Sequence, residues 1–103
     1  LESMRDAQGR QLDVIPIQLP SPFYLTALLD GVRGHRRYPA SYANFIIGNS
    51  VILVPTFSDP NDMQALDTLS ACFPERDVIP IDCSRYILGQ GALHCSTQQQ
   101  PLI

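Results

Sequence analysis

The chain has 103 residues, 45% hydrophobic and 17% charged, which is enough apolar material for one small core and too little charge for a disordered segment. Seven Lys and Arg against ten Asp and Glu leave a net charge of −3, which argues against nucleic acid as a partner, since phosphates call for a basic patch. The apolar stretch from Phe45 to Pro55 is broken by Gly48, Asn49 and Ser50, so no run reaches the ~20 apolar residues of a membrane span, and no charged and apolar leader opens the chain.

In chain order, Leu1 to Ala7 reads as the end of a helix, with Gly9 as its C-cap. With Leu1 in place of an initiator Met, this suggests an excised piece of a longer chain. Gln11 to Leu19 reads as a strand, with Pro16 pushing it toward an edge or a bulge. Residues 20–41 read as a long loop in which Phe23 to Leu29 could form a helical turn. Its basic cluster, Arg33, His35, Arg36 and Arg37, reads as a solvated tip. Ala43 to Gly48 and Val51 to Pro55 are apolar runs joined by Gly48-Asn49-Ser50, a hairpin turn of residues that tolerate positive φ.

Asp59 followed by Pro60 gives a helix start, with Asp as N-cap and Pro at the first position. Met63, Ala65, Leu66, Leu69, Cys72 and Phe73 then recur at spacings of 3 and 4, predicting an amphipathic helix over Asn61 to Phe73 that Pro74 stops. Asp77 to Asp82 is the next strand. Tyr86 to Leu88 extends it or forms a short connector, and Ala92 to Thr97 reads as a last short strand. The order indicates an α/β or α+β fold.

Three cysteines, Cys72, Cys83 and Cys95, make an odd count without CxxC spacing. That disfavours a disulfide framework or a metal site and fits a reducing, cytoplasmic compartment. Cys72 lies on the apolar helix face and Cys83 at a strand end, so both read as structural. Cys95 follows Gly89-Gln90-Gly91, and glycines let a backbone turn tightly or pass close to a ligand. A thiol presented after such a turn is a nucleophile once its pKa falls; on spacing alone, a lone cysteine in an apolar strand is more often a small core residue. His94 makes a poor partner, because strand neighbours point to opposite faces. His35 has nothing to bring it to Cys95, and the aspartates fit capping and strand-end roles.

Gly91 to Pro101 (GALHCSTQQQP) resembles the C-terminal motif of agmatine deiminases, GGG-x-I-H-C-I-T-Q-Q. Residues 39–45 (PASYANF) resemble that family's PASY-x-NF, and residues 54–62 (VPTFSDPND) its VP-x-F-x-DP-x-D. Residues 6–10 (DAQGR), 73–76 and 81–83 also fit, in the same order. The resemblance implies a pentein fold, a propeller of five ββαβ modules, with this chain as the C-terminal third of such an enzyme: one module plus flanking strands. It implies Cys95 as the nucleophile that attacks a guanidinium carbon, with ammonia leaving and water releasing N-carbamoylputrescine. It further implies backbone approach at Gly89 and Gly91, Asn44 lining the substrate pocket, and neither metal nor organic cofactor. The family's general acid/base His and its carboxylates match nothing here, so those roles do not pass to His35, His94 or any Asp.

The sequence departs from the family at Gln90 and Ala92, and at Ser96, where Ile is usual. Gln90 is costly if its position needs positive φ. The basic loop is expected to point away from a cationic substrate. Three readings follow: an agmatine deiminase, a peptidyl-arginine deiminase that admits a bulkier chain, and an inactive fragment that folds or self-associates. The partner expected is a small guanidino compound, with neither nucleic acid nor membrane, and a homo-oligomer remains possible. Cut from its ring, a module exposes the faces its neighbours would cover.

Overall fold

A hairpin, a helix and a returning strand make the centre of the molecule, which we describe from a computed structural model covering residues 1–22, 24–26 and 35–102. In chain order the elements are β1 (Tyr24–Thr26), β2 (His35–Arg37), β3 (Ile46–Ile47), β4 (Val51–Thr56), α1 (Asp62–Cys72) and β5 (Asp77–Asp82). Short 3₁₀ turns follow at Tyr86–Gly89 and His94–Ser96. β3 and β4 pair antiparallel, Ile46 opposite Leu53 and Ile47 opposite Ile52. After the α1 crossover, β5 returns parallel to β4, from Val51 opposite Asp77 to Thr56 opposite Asp82. The result is a ββαβ unit with β4 in the middle of a three-stranded sheet.

Two prolines sit in this sheet without breaking it. Pro80 lies on edge strand β5, where a missing N–H is tolerated. Pro55 lies on the central strand, but the β3 pairing ends at Leu53, short of it. The hairpin turn forms where expected, and Gly48 donates its N–H to the Val51 carbonyl at 2.8 Å. Positive φ is not what selects its residues, because neither Gly48 nor Asn49 has it. A Cβ on Gly48 would instead stand 3.0 Å from the Val51 side chain.

The helix starts at Asp62, later than the Asp59-Pro60 signal predicts. The Asp59 carboxylate does accept from Asn61 N–H at 2.9 Å, as a cap would, and it also takes Ser21 N–H at 2.9 Å. Asp62 turns back instead, accepting from Phe57 N–H at 3.2 Å, Asp59 N–H at 3.0 Å and the Tyr42 hydroxyl at 2.7 Å. The Tyr42 phenol is pushed well above its ordinary pKa by burial, and then by that bond and the charge of Asp62. These bonds tie the chain just before β3 to the head of α1.

One core cluster joins Ile52 and Val54 of β4 to Leu69 of α1, with Leu66, Phe73 and Val78 packed on it. A second gathers Tyr42, Phe57, Ala65, Cys83, Ile87 and Ala92. Burial of each large apolar side chain contributes about 1.5–3 kcal/mol. Cys83 is a core residue, and burial, helped by Asp82, raises its thiol pKa. Two expected core positions of α1 are not interior: Met63 is exposed and Cys72 only half-buried.

Other expectations fail for identifiable reasons. Leu1 to Ala7 is not a helix end; Arg5 bridges to Gln11 across a turn held by Asp6, which accepts from the N–H groups of Gln8 and Arg10 at 2.9 Å. Gly9 does take positive φ, +79°, inside that turn. Residues 12–20 form no strand. Pro16 offers no N–H, and the segment is tethered by single bonds such as Asn61 Nδ2 to the Leu19 carbonyl at 3.1 Å. Within residues 20–41, β1 and β2 pair antiparallel, so Tyr24–Thr26 is strand where a helical turn is expected. Phe23, Ala27 to Leu29, and Arg33 of the basic cluster lie outside the described residues.

Much apolar surface remains open. The accessible area is 8037 Å², against about 5,800 Å² for a closed domain of this mass. Ile79 and Ile81 of β5 are 39% and 36% exposed. No helix among the described residues is long and apolar enough to cross a membrane.

Candidate active site

The chain reaches Cys95 through two irregular steps. The Tyr86–Gly89 turn ends on Gln90, whose φ of 70° is left-handed. The glycine-like position in this loop is therefore Gln90, occupied by a residue with a Cβ. Gln90→Gly is expected to stabilise the fold by about 0.5–1 kcal/mol, read as a higher denaturant midpoint with unchanged slope. Gly89 has no such requirement: a Cβ there would meet nothing within 4 Å.

Residues 94–96 then form a 3₁₀ turn rather than the strand expected over Ala92 to Thr97. Asn44 explains the curl. Its backbone carbonyl accepts from His94 N–H at 3.2 Å, and its side-chain Oδ1 accepts from Cys95 N–H, also at 3.2 Å. With Oδ1 so engaged, the amide orientation is fixed and Nδ2 must face the sulfur. It donates to Cys95 Sγ at 2.9 Å. Asn44, just ahead of β3, and Cys95, 51 residues later, are thus interlocked.

A sulfur that accepts N–H donors is favoured as the anion. The Asn44 amide is the largest influence, followed by the Ala92 N–H, with burial opposing and Cys95's own N–H assisting; the net effect holds the Cys95 thiol below its ordinary pKa. Cys95 is also exposed, unlike buried Cys83. An accessible, acidified thiol is the state in which cysteine attacks electrophiles.

Gly91 makes room for that thiol. A Cβ at Gly91 would stand 2.8 Å from Cys95 Cβ and 3.2 Å from Sγ. Gly91→Ala is expected to displace the sulfur from Asn44 and slow iodoacetamide labelling of Cys95 by about tenfold, with labelling of Cys72 unchanged. Cys95 opens on a cavity of about 260 Å³ lined by Tyr86, Gly89, Gly91, Cys95 and Ser96. That is slightly smaller than most ligand pockets.

Of the expected site residues, Asn44, Gly91 and Cys95 come into contact, and Gly89 lines the same cavity. His94 is exposed, not packed, and lines a different cleft with Ser41, Ala43 and Asn44. Asp82 is a turn cap, held below the carboxylate range first by the Ser84 hydroxyl and then by its N–H. No cluster of three potential metal ligands occurs among the described residues. The sequence reading missed Tyr86, whose hydroxyl meets Ser96 Oγ at 2.5 Å. Ser96 carried a signal, as a departure from the family motif, but nothing in the spacing marks Tyr86.

The chain is 41% identical to an agmatine deiminase of Pseudomonas fluorescens and 42% identical to one of Ectopseudomonas mendocina. Each match covers 98% of this chain and 30% of the relative, so the chain spans less than a third of the curated relatives it matches. The solved agmatine deiminase of Enterococcus faecalis superposes with a TM-score of 0.89 at 32% identity, over 97% of this chain and 30% of that one. The ββαβ unit is thus a pentein-type α/β architecture. A family pattern matches residues 1–101, and on that match the chain belongs to the Porphyromonas-type peptidyl-arginine deiminase family.

Proposed function

We propose that this chain is the nucleophile-bearing C-terminal third of an agmatine deiminase, a cytoplasmic hydrolase of polyamine metabolism. The observation that carries the reading is the exposed Cys95 thiol, acidified first by Asn44, in a chain about 40% identical to agmatine deiminases. The thiolate attacks the guanidinium carbon and forms a C–S bond. The C–N bond to one terminal nitrogen breaks, and ammonia departs. Water then adds to the thiouronium carbon, the C–S bond breaks, and the ureido product leaves with the thiolate regenerated. Asn44 Nδ2 holds the sulfur in its anionic form at the start and end of this cycle. The general acid/base and the carboxylates that grip the guanidinium belong to other segments of the full-length protein. Taken alone, these 103 residues are expected to turn over no agmatine.

A peptidyl-arginine deiminase is the second reading, favoured by the description of the matching family itself. Turnover of agmatine beside a blocked peptidyl-arginine by the full-length protein separates the two. Ureido product from agmatine supports the first reading, and product from the peptide alone replaces it with the second.

A further inference from the structure

Ser96 and Tyr86 are left unused by the chemistry above, yet both line the Cys95 cavity. Their hydroxyls are 2.5 Å apart, and distance alone does not say which one donates. The Ala92 carbonyl supplies a direction. Ser96 Oγ lies 3.3 Å from that oxygen, and a carbonyl can only accept, so the network in which every contact is a hydrogen bond places the single Ser96 proton there. In that network Ser96 Oγ accepts from Tyr86. With its proton committed, the Tyr86 oxygen offers the cavity only lone pairs. Tyr86 is 54% exposed and lines the cavity that Cys95 opens on. Among the described residues neither Lys nor Arg lines the cavity; the nucleophilic sulfur and an acceptor oxygen do.

We propose that Tyr86 is a substrate-contacting specificity residue, its phenol oxygen accepting from the N–H groups of a cationic amidine or guanidine held at Cys95. The assignment rests on the deiminase reading for the identity of the substrate, and it adds a direction to the chemistry. A guanidinium group presents only donors toward Tyr86. The ureido product replaces one nitrogen by a carbonyl oxygen, an acceptor, and two acceptors facing each other repel. The Tyr86–Ser96–Ala92 relay therefore holds substrate and favours release of product.

The test compares alkylation of Cys95 in the full-length protein by two small probes, read by mass spectrometry. A haloacetamidine is a planar, donor-only cation; the matching haloacetamide is neutral and carries a carbonyl acceptor. The ratio of their rates is normalised to the same ratio on a free thiol. The wild type is expected to give a ratio above one. Tyr86→Phe keeps the ring and is expected to lower the ratio about tenfold, with the neutral probe's rate unchanged or raised. Ser96→Ala frees the Tyr86 proton to swing into the cavity and should lower the ratio part of the way. An unchanged ratio in Tyr86→Phe, or equal slowing with both probes, overturns the assignment and leaves the deiminase reading intact. A wild-type ratio of one or less overturns both.

Discussion

Cys95→Ala is expected to abolish formation of ureido product from agmatine by the full-length protein, lowering kcat by roughly 10⁴-fold or more, as loss of a covalent nucleophile does. Thermal stability is expected to be nearly unchanged. Cys95 is exposed, and alanine leaves no cavity there. The same change at Cys83 has the opposite profile. That sulfur is buried in the Tyr42–Phe57–Ala65 cluster, so it affects stability and not the chemistry. Running both variants in one assay separates a chemical role from a packing role. Residual turnover within tenfold of wild type in Cys95→Ala would exclude a covalent mechanism at this residue.

Asn44→Asp carries the second large effect, because it is nearly isosteric and reverses one interaction. The oxygen that accepts from Cys95 N–H is kept, so the turn keeps its shape. The Nδ2 donor at 2.9 Å from the sulfur becomes a carboxylate oxygen. A donor favours the thiolate and an adjacent negative charge opposes it. In the wild type, the rate of iodoacetamide labelling of Cys95 should inflect below the ordinary thiol pKa of about 8.5. In Asn44→Asp the inflection should move above the wild-type value. Labelling at neutral pH should fall about ten- to a hundredfold, and turnover with it. An unmoved inflection would mean that Asn44 shapes the turn without tuning the sulfur.

The elements of the centre were legible because local chemistry and tertiary contacts agree there. The Val51–Pro55 run, the 3–4 spacing through Leu66 and Leu69, and the short Asp77–Asp82 run each became the element their pattern indicates, whereas of the Ala43–Gly48 run only Ile46–Ile47 pairs as strand. The periphery was not legible where long-range bonds outweighed local signals. Asp59 accepts from Asn61 N–H as an N-cap does, but it also holds Ser21 N–H across 38 residues, and the regular helix begins only at Asp62. The apolar residues of 12–19 suggest a strand, but a strand needs a neighbour, and none among the described residues pairs with them. The motif around Cys95 directs attention to the exposed thiol that Asn44 contacts. That Asn44 grips both its backbone and its sulfur across 51 residues is a property of the fold and of no spacing. The same holds for Gly91: a glycine-rich loop suggests backbone approach to a ligand, and no spacing shows that a Cβ there would crowd the neighbouring cysteine.

The most direct measurement is mass spectrometry of the full-length protein quenched in acid during steady-state turnover of agmatine. The peptide containing Cys95 is expected to carry the mass of agmatine less one ammonia, Cys72 and Cys83 to carry none, and the adduct to disappear when substrate is exhausted. Turnover with an adduct on another cysteine, or product formed at full rate with Cys95 blocked, would contradict Cys95 as the nucleophile.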